Sequence, residues 1–153
     1  MLDYKGNSPD SSIQVLNLKR HTVTELPGSK GIFSPRWSPD GRYVAALTPG
    51  DFNLMLFDFE IQKWEKLSGS GANFPNWSND SKYVFFATTA GPPGFYRVDI
   101  ATRKTEEVVR LGNARLADGV PGYSWRGVTP DGSPLIARVA GSEEIYALDV
   151  DFP

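Results

Sequence analysis

Short apolar runs recur along the chain, and polar turns rich in glycine, proline and aspartate separate them. Apolar runs of about 4 to 8 residues between such turns favour β-strands. Four of these runs have, next to their last residue, a side chain that can cap a turn. They extend over Ile13 to Leu18, Leu54 to Phe59, Phe95 to Ile100 and Ile145 to Val150. The capping residues are Asn17, Asp58, Asp99 and Asp149. The pattern predicts an all-β protein.

A second landmark recurs with a similar period. It reads Trp-Ser-Pro-Asp-Gly-Arg-Tyr-Val in its first copy, and the three copies begin at Trp37, Trp77 and Val128. Their aspartates, spaced by 40 and then 51 residues, are Asp40, Asp80 and Asp131. In this motif proline presets a turn, the aspartate caps nearby amides, and glycine (Gly41, Gly132) takes a positive φ. Each copy therefore predicts a hairpin corner.

The two landmarks together predict a unit of four antiparallel strands with a period of ~40 residues, which is typical of radially repeated folds. The first strand ends at the tryptophan, and the second follows the corner from Tyr43 to Leu47. The third ends at the aspartate, and the fourth covers Lys63 to Leu67. We expect one domain over 1–153, with a blade remnant at 13–26, blades at 33–67 and 73–109, and an incomplete blade at 123–150.

The stretch Trp37-Ser-Pro-Asp-Gly-Arg-Tyr-Val-Ala45 resembles the WD40-like (PD40) repeat of TolB-like β-propellers. Similar propellers are attached to bacterial winged-helix regulators, protein kinases and prolyl-oligopeptidase-type peptidases. The resemblance extends from Ile13 to Val150 and implies a partial propeller of about three blades. The third copy departs from it, because Val128 replaces the tryptophan and Trp125 lies three residues earlier. We expect the first strand there to pack differently.

Residues that recur in register are expected to build the scaffold. Trp37 and Trp77 are predicted to be buried between blades in equivalent positions. The three corner aspartates share one environment, whereas the two carboxylates of a glycosidase need different ones. They are therefore interpreted as turn residues.

Candidate contact residues lie where the repeat is broken or where loops leave the blades, since loops on a rigid scaffold often carry binding. The connection from 110 to 122 is the longest, and it contributes Asn113, Arg115 and Asp118. A second-to-third strand loop contributes Asp51. Residues on or beside first strands, predicted to line a central channel, are Arg36, Asn76 and Arg126.

Composition excludes several classes of function. The formal net charge is -2, so no positive field favours direct binding of nucleic acid. The chain has no cysteine and a single histidine, His21, and it has no Gly-x-Ser-x-Gly elbow or phosphate loop. We expect no enzyme, metal site or cofactor. No apolar run approaches the ~20 residues of a membrane span, and the given N-terminus has no signal-peptide pattern.

Three functions remain open at this point. The first is a non-catalytic binding module for a protein or a small ligand, completed by self-association into a head-to-tail homodimer. Six blades are favoured over eight, although Ile13 to Leu18 and Ile145 to Val150 both have the pattern of third strands. The second is a C-terminal sensor part of a larger bacterial regulator. The third is a carbohydrate-active enzyme, whose only loop acids would be Asp51, Asp118 and Glu143.

Overall fold

The computed structural model of the chain describes residues 9–88, 94–110 and 125–137, and within them all the strand pairs are antiparallel. The first two-stranded sheet contains β1 (Gln14–Asn17) and β2 (Thr22–Glu25). A four-stranded sheet follows in the order β3 (Phe33–Trp37), β4 (Tyr43–Leu47), β5 (Leu54–Asp58) and β6 (Lys63–Ser68). The next has the order β7 (Ala72–Trp77), β8 (Tyr83–Thr88), β9 (Gly94–Asp99) and β10 (Thr105–Arg110). A second two-stranded sheet contains β11 (Trp125–Val128) and β12 (Pro134–Ile136).

The predicted all-β class is confirmed, and the sheets form a partial propeller. Strand β4 has the predicted bounds, and β3 and β7 end at the predicted tryptophans. The predicted third strand at 145–150 lies outside the described residues. Among the described residues, no helix has the length and hydropathy needed to cross a bilayer.

The capping residues of the third strands close a repeated turn. The side chain of Asp99 accepts hydrogen bonds from the amides of Ala101 and Thr102 at 2.9 and 2.8 Å, and Asn17 accepts two in the same way. Each turn then contains one residue at positive φ, and these residues are His21, Gln62 and Arg103. His21 is exposed in such a turn.

The Ser-Pro-Asp-Gly corner is held by its own side chains. The Ser38 hydroxyl donates to Asp40 at 2.6 Å and accepts from the Tyr43 amide at 2.8 Å, while the Arg42 amide donates to Asp40 at 3.0 Å. Gly41 has φ 77°, the left-handed conformation that the turn needs. The corners at Asp80 and Asp131 repeat the pattern, except that Ser81 takes the positive φ in the second copy.

The apolar core consists of three clusters, one at each junction between neighbouring sheets. The first junction, between β3–β6 and β7–β10, buries Ala45, Leu47, Leu54, Leu56, Leu67, Ala72, Val84, Phe86 and Val98. The N-terminal junction, between β1–β2 and β3–β6, buries Ile13, Leu26, Ile32, Val44, Ala46 and Phe57. The second junction, between β7–β10 and β11–β12, buries Phe85, Ala87, Phe95 and Trp125. As expected, this third copy packs differently, because Trp125 contacts Phe95 with ring centres 4.4 Å apart.

The two repeated tryptophans have different environments. Trp77 is half-buried at the first junction rather than buried as predicted. It stacks on Tyr43 with ring centres 6.2 Å apart, and its Nε1 donates to the Arg36 carbonyl at 2.9 Å. Trp37 is 49% exposed, so the prediction that it is buried was wrong. Among the described residues the preceding sheet consists of β1 and β2, and no tyrosine equivalent to Tyr43 faces Trp37 from it. Trp37 stacks instead on Phe59 of its own blade, at 4.9 Å.

Candidate functional site

A cleft of about 860 Å³ opens beside the first strands β3 and β7, and we call it the first-strand cleft. Its wall combines aromatic rings with polar groups, and it includes Phe33, Ser34, Arg36, Phe52, Asn73 and Phe74. Phe33 and Phe52 meet edge to face with their ring centres 5.8 Å apart. Pockets of about 300 to 1,000 Å³ that are mostly apolar and carry a few polar groups are typical of binding sites.

Bulges in the first strands shape this cleft. The pairing of β3 with β4 shifts between Phe33 and Arg36, and the pairing of β7 with β8 shifts between Asn73 and Asn76. A proline, which cannot donate to the strand ladder, lies inside each interruption as Pro35 or Pro75. Bulges change the direction of side chains and are frequent beside binding sites. The two equivalent bulges thus direct a segment of each strand toward the cleft.

Strained backbone is concentrated in the cleft wall. Seven non-glycine residues among those described have positive φ, and four of them belong to the turns and the corner above. The other three all line the cleft: Ser34 at 55°, Phe52 at 52° and Phe74 at 51°. A left-handed conformation costs a residue with a Cβ about 1 to 2 kcal/mol, so the surrounding fold must impose it. Such strain is found preferentially at functional sites.

Arg36 gives the cleft its charge. It is the only charged side chain that lines the cleft within the described ranges, and it is exposed. Its Nη1 donates to the Pro35 carbonyl at 2.9 Å. The nearby polar side chains of Gln14 and Ser12 contact each other at 2.8 Å. The site is therefore suited to a ligand that combines an anionic group with an apolar or aromatic group.

The predicted contact residues lie in different parts of the structure, and one of them lines the cleft. Arg36 lines the cleft, whereas Asn76 is half-buried farther along β7 and does not line it. Arg126 is exposed on β11, where its Nη1 donates to the Trp125 carbonyl at 3.2 Å. Asp51 is exposed in a turn, and its backbone carbonyl accepts a hydrogen bond from the Gly71 amide at 2.8 Å. The predicted contacts that fall outside the described residues are Asn113, Arg115 and Asp118, together with the loop acid Glu143.

The sequence did not indicate the roles of Ser34, Phe52 and Phe74, which are now the clearest members of the site. A signal was available for two of them. Ser34 and Phe74 are 40 residues apart, and each precedes a proline within a predicted first strand, the combination that marks a bulge. Nothing in the local sequence indicates a positive φ at Phe52.

The corner aspartates are engaged in the scaffold. A hydrogen bond from the Ser38 hydroxyl, with further bonds from the corner, holds the pKa of Asp40 below its ordinary value. The Ser78 hydroxyl lowers the pKa of Asp80, and the Thr129 hydroxyl lowers that of Asp131. All three carboxylates therefore favour the ionised form. Over residues 9–88, 94–110 and 125–137, no three histidine or acidic side chains are grouped so that they could hold a metal ion.

Comparison with solved structures identifies the architecture. The chain is similar to TolB from Acinetobacter baumannii, with 24% identity and a TM-score of 0.61 over 82% of this chain and 31% of that protein. It is similar to a putative TolB from Agrobacterium tumefaciens, with 20% identity and a TM-score of 0.55 over 65% of this chain and 38% of the other.

An oligogalacturonate lyase in complex with manganese shows the same likeness, at 17% identity and a TM-score of 0.52, over 65% of this chain and 33% of the lyase. No family model matches the chain. The chain covers 31 to 38% of the length of these three proteins. The similarity shows that its fold is a TolB-like β-propeller.

Proposed function

We propose that the protein is a non-catalytic propeller module that binds a segment of a partner protein in the first-strand cleft. The observation that carries this proposal is the strained wall of the cleft, where Ser34, Phe52 and Phe74 all have positive φ. An inference from observed strain to function is the direction that such outliers support. The TolB-like fold is consistent with a binding role, although folds of this kind serve several functions.

The side chains of the cleft wall indicate which kind of partner peptide the cleft binds. Arg36 supplies a guanidinium, which recognises carboxylates well, and the rings of Phe33, Phe52 and Phe74 supply an apolar surface. A peptide in which an acidic residue precedes an aromatic one would satisfy both. The volume of about 860 Å³ is sufficient for a few residues of an extended peptide.

Three terminally blocked tripeptides test this proposal: Ala-Glu-Phe, Ala-Gln-Phe and Ala-Lys-Phe. We expect the first to bind best in a titration followed by backbone amide chemical shifts, with perturbations around Ser34 and Phe74. Arg36→Glu should reverse the order of the acidic and basic peptides. Arg20→Glu is the matched control, because Arg20 is exposed in a turn away from the cleft and its replacement should leave the order unchanged.

Two outcomes would contradict the proposal. One is that none of the peptides shifts the cleft residues at concentrations of about 10 mM, the weak end of useful affinities. The other is that the acidic peptide still binds best to the Arg36→Glu variant, since the charge of Arg36 would then have no part in recognition.

The non-catalytic part of the proposal rests on the functional groups available. The corner carboxylates are committed to turn hydrogen bonds, and His21 is exposed in a turn, whereas a general base needs a partner within hydrogen-bond reach. Hydrolysis of a panel of chromogenic esters, peptides and glycosides should stay at the buffer rate. A rate above it that is abolished by replacing one cleft residue would contradict this part.

Self-association is a second candidate, favoured by a two-stranded sheet at each end of the part of the chain that the structure describes. By their place in the sequence repeat, β1 and β2 correspond to a third and a fourth strand, whereas β11 and β12 correspond to a first and a second. In a closed dimer, β1 and β2 of one copy would extend the sheet of β11 and β12 of the other copy at both junctions. The order would be β11-β12-β1-β2 if β1 takes the third position in place of the predicted strand at 145–150, which lies outside the described residues. This arrangement would also cover Trp37, which is 49% exposed.

Light scattering tests this arrangement directly. We expect a mass near twice 16.9 kDa for the chain, and a mass near 16.9 kDa after deletion of Met1 to Pro27. Trp37→Arg should also give the monomer, whereas Ile61→Arg should not, since Ile61 is similarly exposed at 51% but lies in a turn. A folded monomer of the unaltered chain at micromolar concentration would exclude the dimer and leave the cleft proposal untouched.

A further inference from the structure

A second pocket, of about 280 Å³, lies between β7–β10 and β11–β12, at the second junction. We call it the junction pocket, and its lining includes Asp80, Tyr83, Phe85, Arg97, Asp131 and Gly132. None of its described lining residues also lines the first-strand cleft. The second junction differs from the first junction at three equivalent positions, and these differences account for the pocket.

The first difference is a missing tryptophan. At the first junction the Trp77 indole stacks on Tyr43, the first residue of the second strand. At the second junction Tyr83 has the position of Tyr43, but Val128 has the position of Trp77. Valine lacks the ring that would cover the tyrosine, so space is left beside Tyr83.

The second difference introduces a cation. Leu56 is buried in the first junction, and the equivalent residue of the next blade is Arg97, on the side that faces the second junction. The Arg97 guanidinium carbon lies 4.5 Å from the centre of the Tyr83 ring. Its Nε and Nη2 both donate to Glu106, at 3.1 and 3.0 Å. Tyr83 and Arg97 thus form a cation–π pair, which we call the platform, and Glu106 binds the same guanidinium.

The third difference removes a contact between corners. Ser81 has 5% exposure and its hydroxyl accepts a hydrogen bond from the Asp40 amide across the first junction. Gly132 occupies the same corner position in the next copy and has no side chain. A Cβ at Gly132 would lie 3.9 Å from Phe85, in the space that the pocket now occupies. Two of the three differences, at Val128 and Gly132, therefore leave space at this junction, and the third lines that space with Arg97.

The charge of the lining favours a cationic ligand. Among the described lining residues, Asp80 and Asp131 contribute two carboxylates, which accept their turn hydrogen bonds at Oδ1, and the guanidinium of Arg97 is paired with Glu106. Lys82, at 3.5 Å from Asp80, lies outside the lining and is largely exposed. The volume is slightly below the range of about 300 to 1,000 Å³ for drug-sized ligands, which suits a ligand with one or two rings.

We propose that the junction pocket binds a ligand in which a planar aromatic ring carries a protonated aliphatic amine. Its ring stacks on the platform of Tyr83 and Arg97, in the place where the repeat otherwise has an indole, and its ammonium group faces the carboxylates of Asp80 and Asp131. Stacking and cation–π contacts supply the affinity for the ring, and the carboxylates select the sign of the charge. This proposal does not depend on the function of the first-strand cleft.

Three probes of one ring system test the proposal: tryptamine, indole and indole-3-acetate. We expect the amides of Asp80, Asp131 and Gly132 to shift on addition of tryptamine, with saturation in the millimolar range that small ligands reach. Indole should bind more weakly, and indole-3-acetate should bind weakest of the three. The proposal is overturned if tryptamine gives no saturable shifts, or if the carboxylate binds as well as the amine.

Variants that restore the repeat should close the site. Val128→Trp returns the missing indole, and Arg97→Leu returns the leucine of the first junction. Each should weaken tryptamine binding at least about tenfold, the change that the loss of one cation–π or stacking contact can produce. Leu135→Trp is the matched control, because it adds a tryptophan at a 51% exposed position of the same hairpin and should leave affinity unchanged.

Circular dichroism establishes that each variant is folded before its affinity is compared. If Val128→Trp does not fold, Arg97→Leu alone decides the matter. Unchanged tryptamine affinity in a folded Arg97→Leu variant would exclude the platform as the binding surface.

Discussion

The amide of Asp40 donates a 3.1 Å hydrogen bond to the hydroxyl of Ser81, which ties one corner of the propeller to the next across the first junction. Ser81 has φ 58° at a position where the other copies have glycine. A serine at this position therefore has a strained backbone, but its hydroxyl accepts a hydrogen bond that glycine could not accept.

Substitution of Ser81 separates these two effects. Ser81→Ala keeps the strain and loses the hydrogen bond, so we expect a loss of unfolding free energy of about 1 to 2 kcal/mol. Ser81→Gly also loses the bond but relieves the strain, so its loss should be smaller. Urea unfolding measures both. A larger loss for glycine than for alanine would show that the hydroxyl is not the reason for serine at this position.

The two repeated tryptophans should differ in their contribution to stability. Trp77 packs at the first junction and donates to the Arg36 carbonyl, so Trp77→Ala should cost about 2 to 4 kcal/mol of unfolding free energy, somewhat less than a fully buried aromatic. Trp37→Ala should cost less than about 1 kcal/mol in the monomer, since mostly exposed side chains contribute little. Equal losses in dilute urea titrations would contradict the environments described for the two rings.

Acid should destabilise the protein through its turn carboxylates. The Ser38 hydroxyl lowers the pKa of Asp40, the Arg42 guanidinium lowers that of Asp58, and backbone amides, first that of Thr102, lower that of Asp99, all relative to an ordinary value of 3.8. Because these pKa values are lower in the folded state than in the unfolded state, their stabilising effect is complete above about pH 4 and is lost as the pH falls through the folded values.

On account of these groups, the urea concentration at the unfolding midpoint should change little between pH 7 and about pH 5. It should decrease once the pH is lower than about 4. Asp58→Asn cannot titrate, so its stability should depend less steeply on pH in the acidic range. Glu60→Gln is the control, because it removes a carboxylate that also pairs with Arg42 but is 65% exposed, against 14% for Asp58. The same acid slope in Asp58→Asn and the unaltered chain would contradict the role of Asp58.

The strands and corners could be predicted because their signals are local. Proline, aspartate and glycine at fixed offsets define the corner around Asp40, and an apolar run closing on Asp58 defines the third strand. The exposure of Trp37 could not be predicted in this way. Its environment depends on which strands the neighbouring sheet contributes, and the repeat pattern alone treats Trp37 and Trp77 as equivalent.

The candidate site was only partly predictable. Arg36 was selected because it lies on a first strand, which was expected to line a central channel, whereas the positive φ of Phe52 depends on tertiary contacts that override a local preference. The sequence contains a signal from which the junction pocket could have been predicted. A register of 41 residues aligns Arg97 with the buried Leu56, and a cation at a core position is a departure that the repeat itself reveals.

The unequal junctions have a consequence for cooperativity. The first junction contains the Trp77 stack, the Ser81 hydrogen bond and an ion pair between Arg103 and Glu65, and the second has Val128 and Gly132 at the equivalent tryptophan and serine positions. In repeat proteins, the strength of each interface decides whether neighbours open together. Native-state hydrogen exchange should therefore report one slow unit from β3 to β10 and a faster unit at β11 and β12, so that the hairpin beside the junction pocket opens while the two complete blades remain folded.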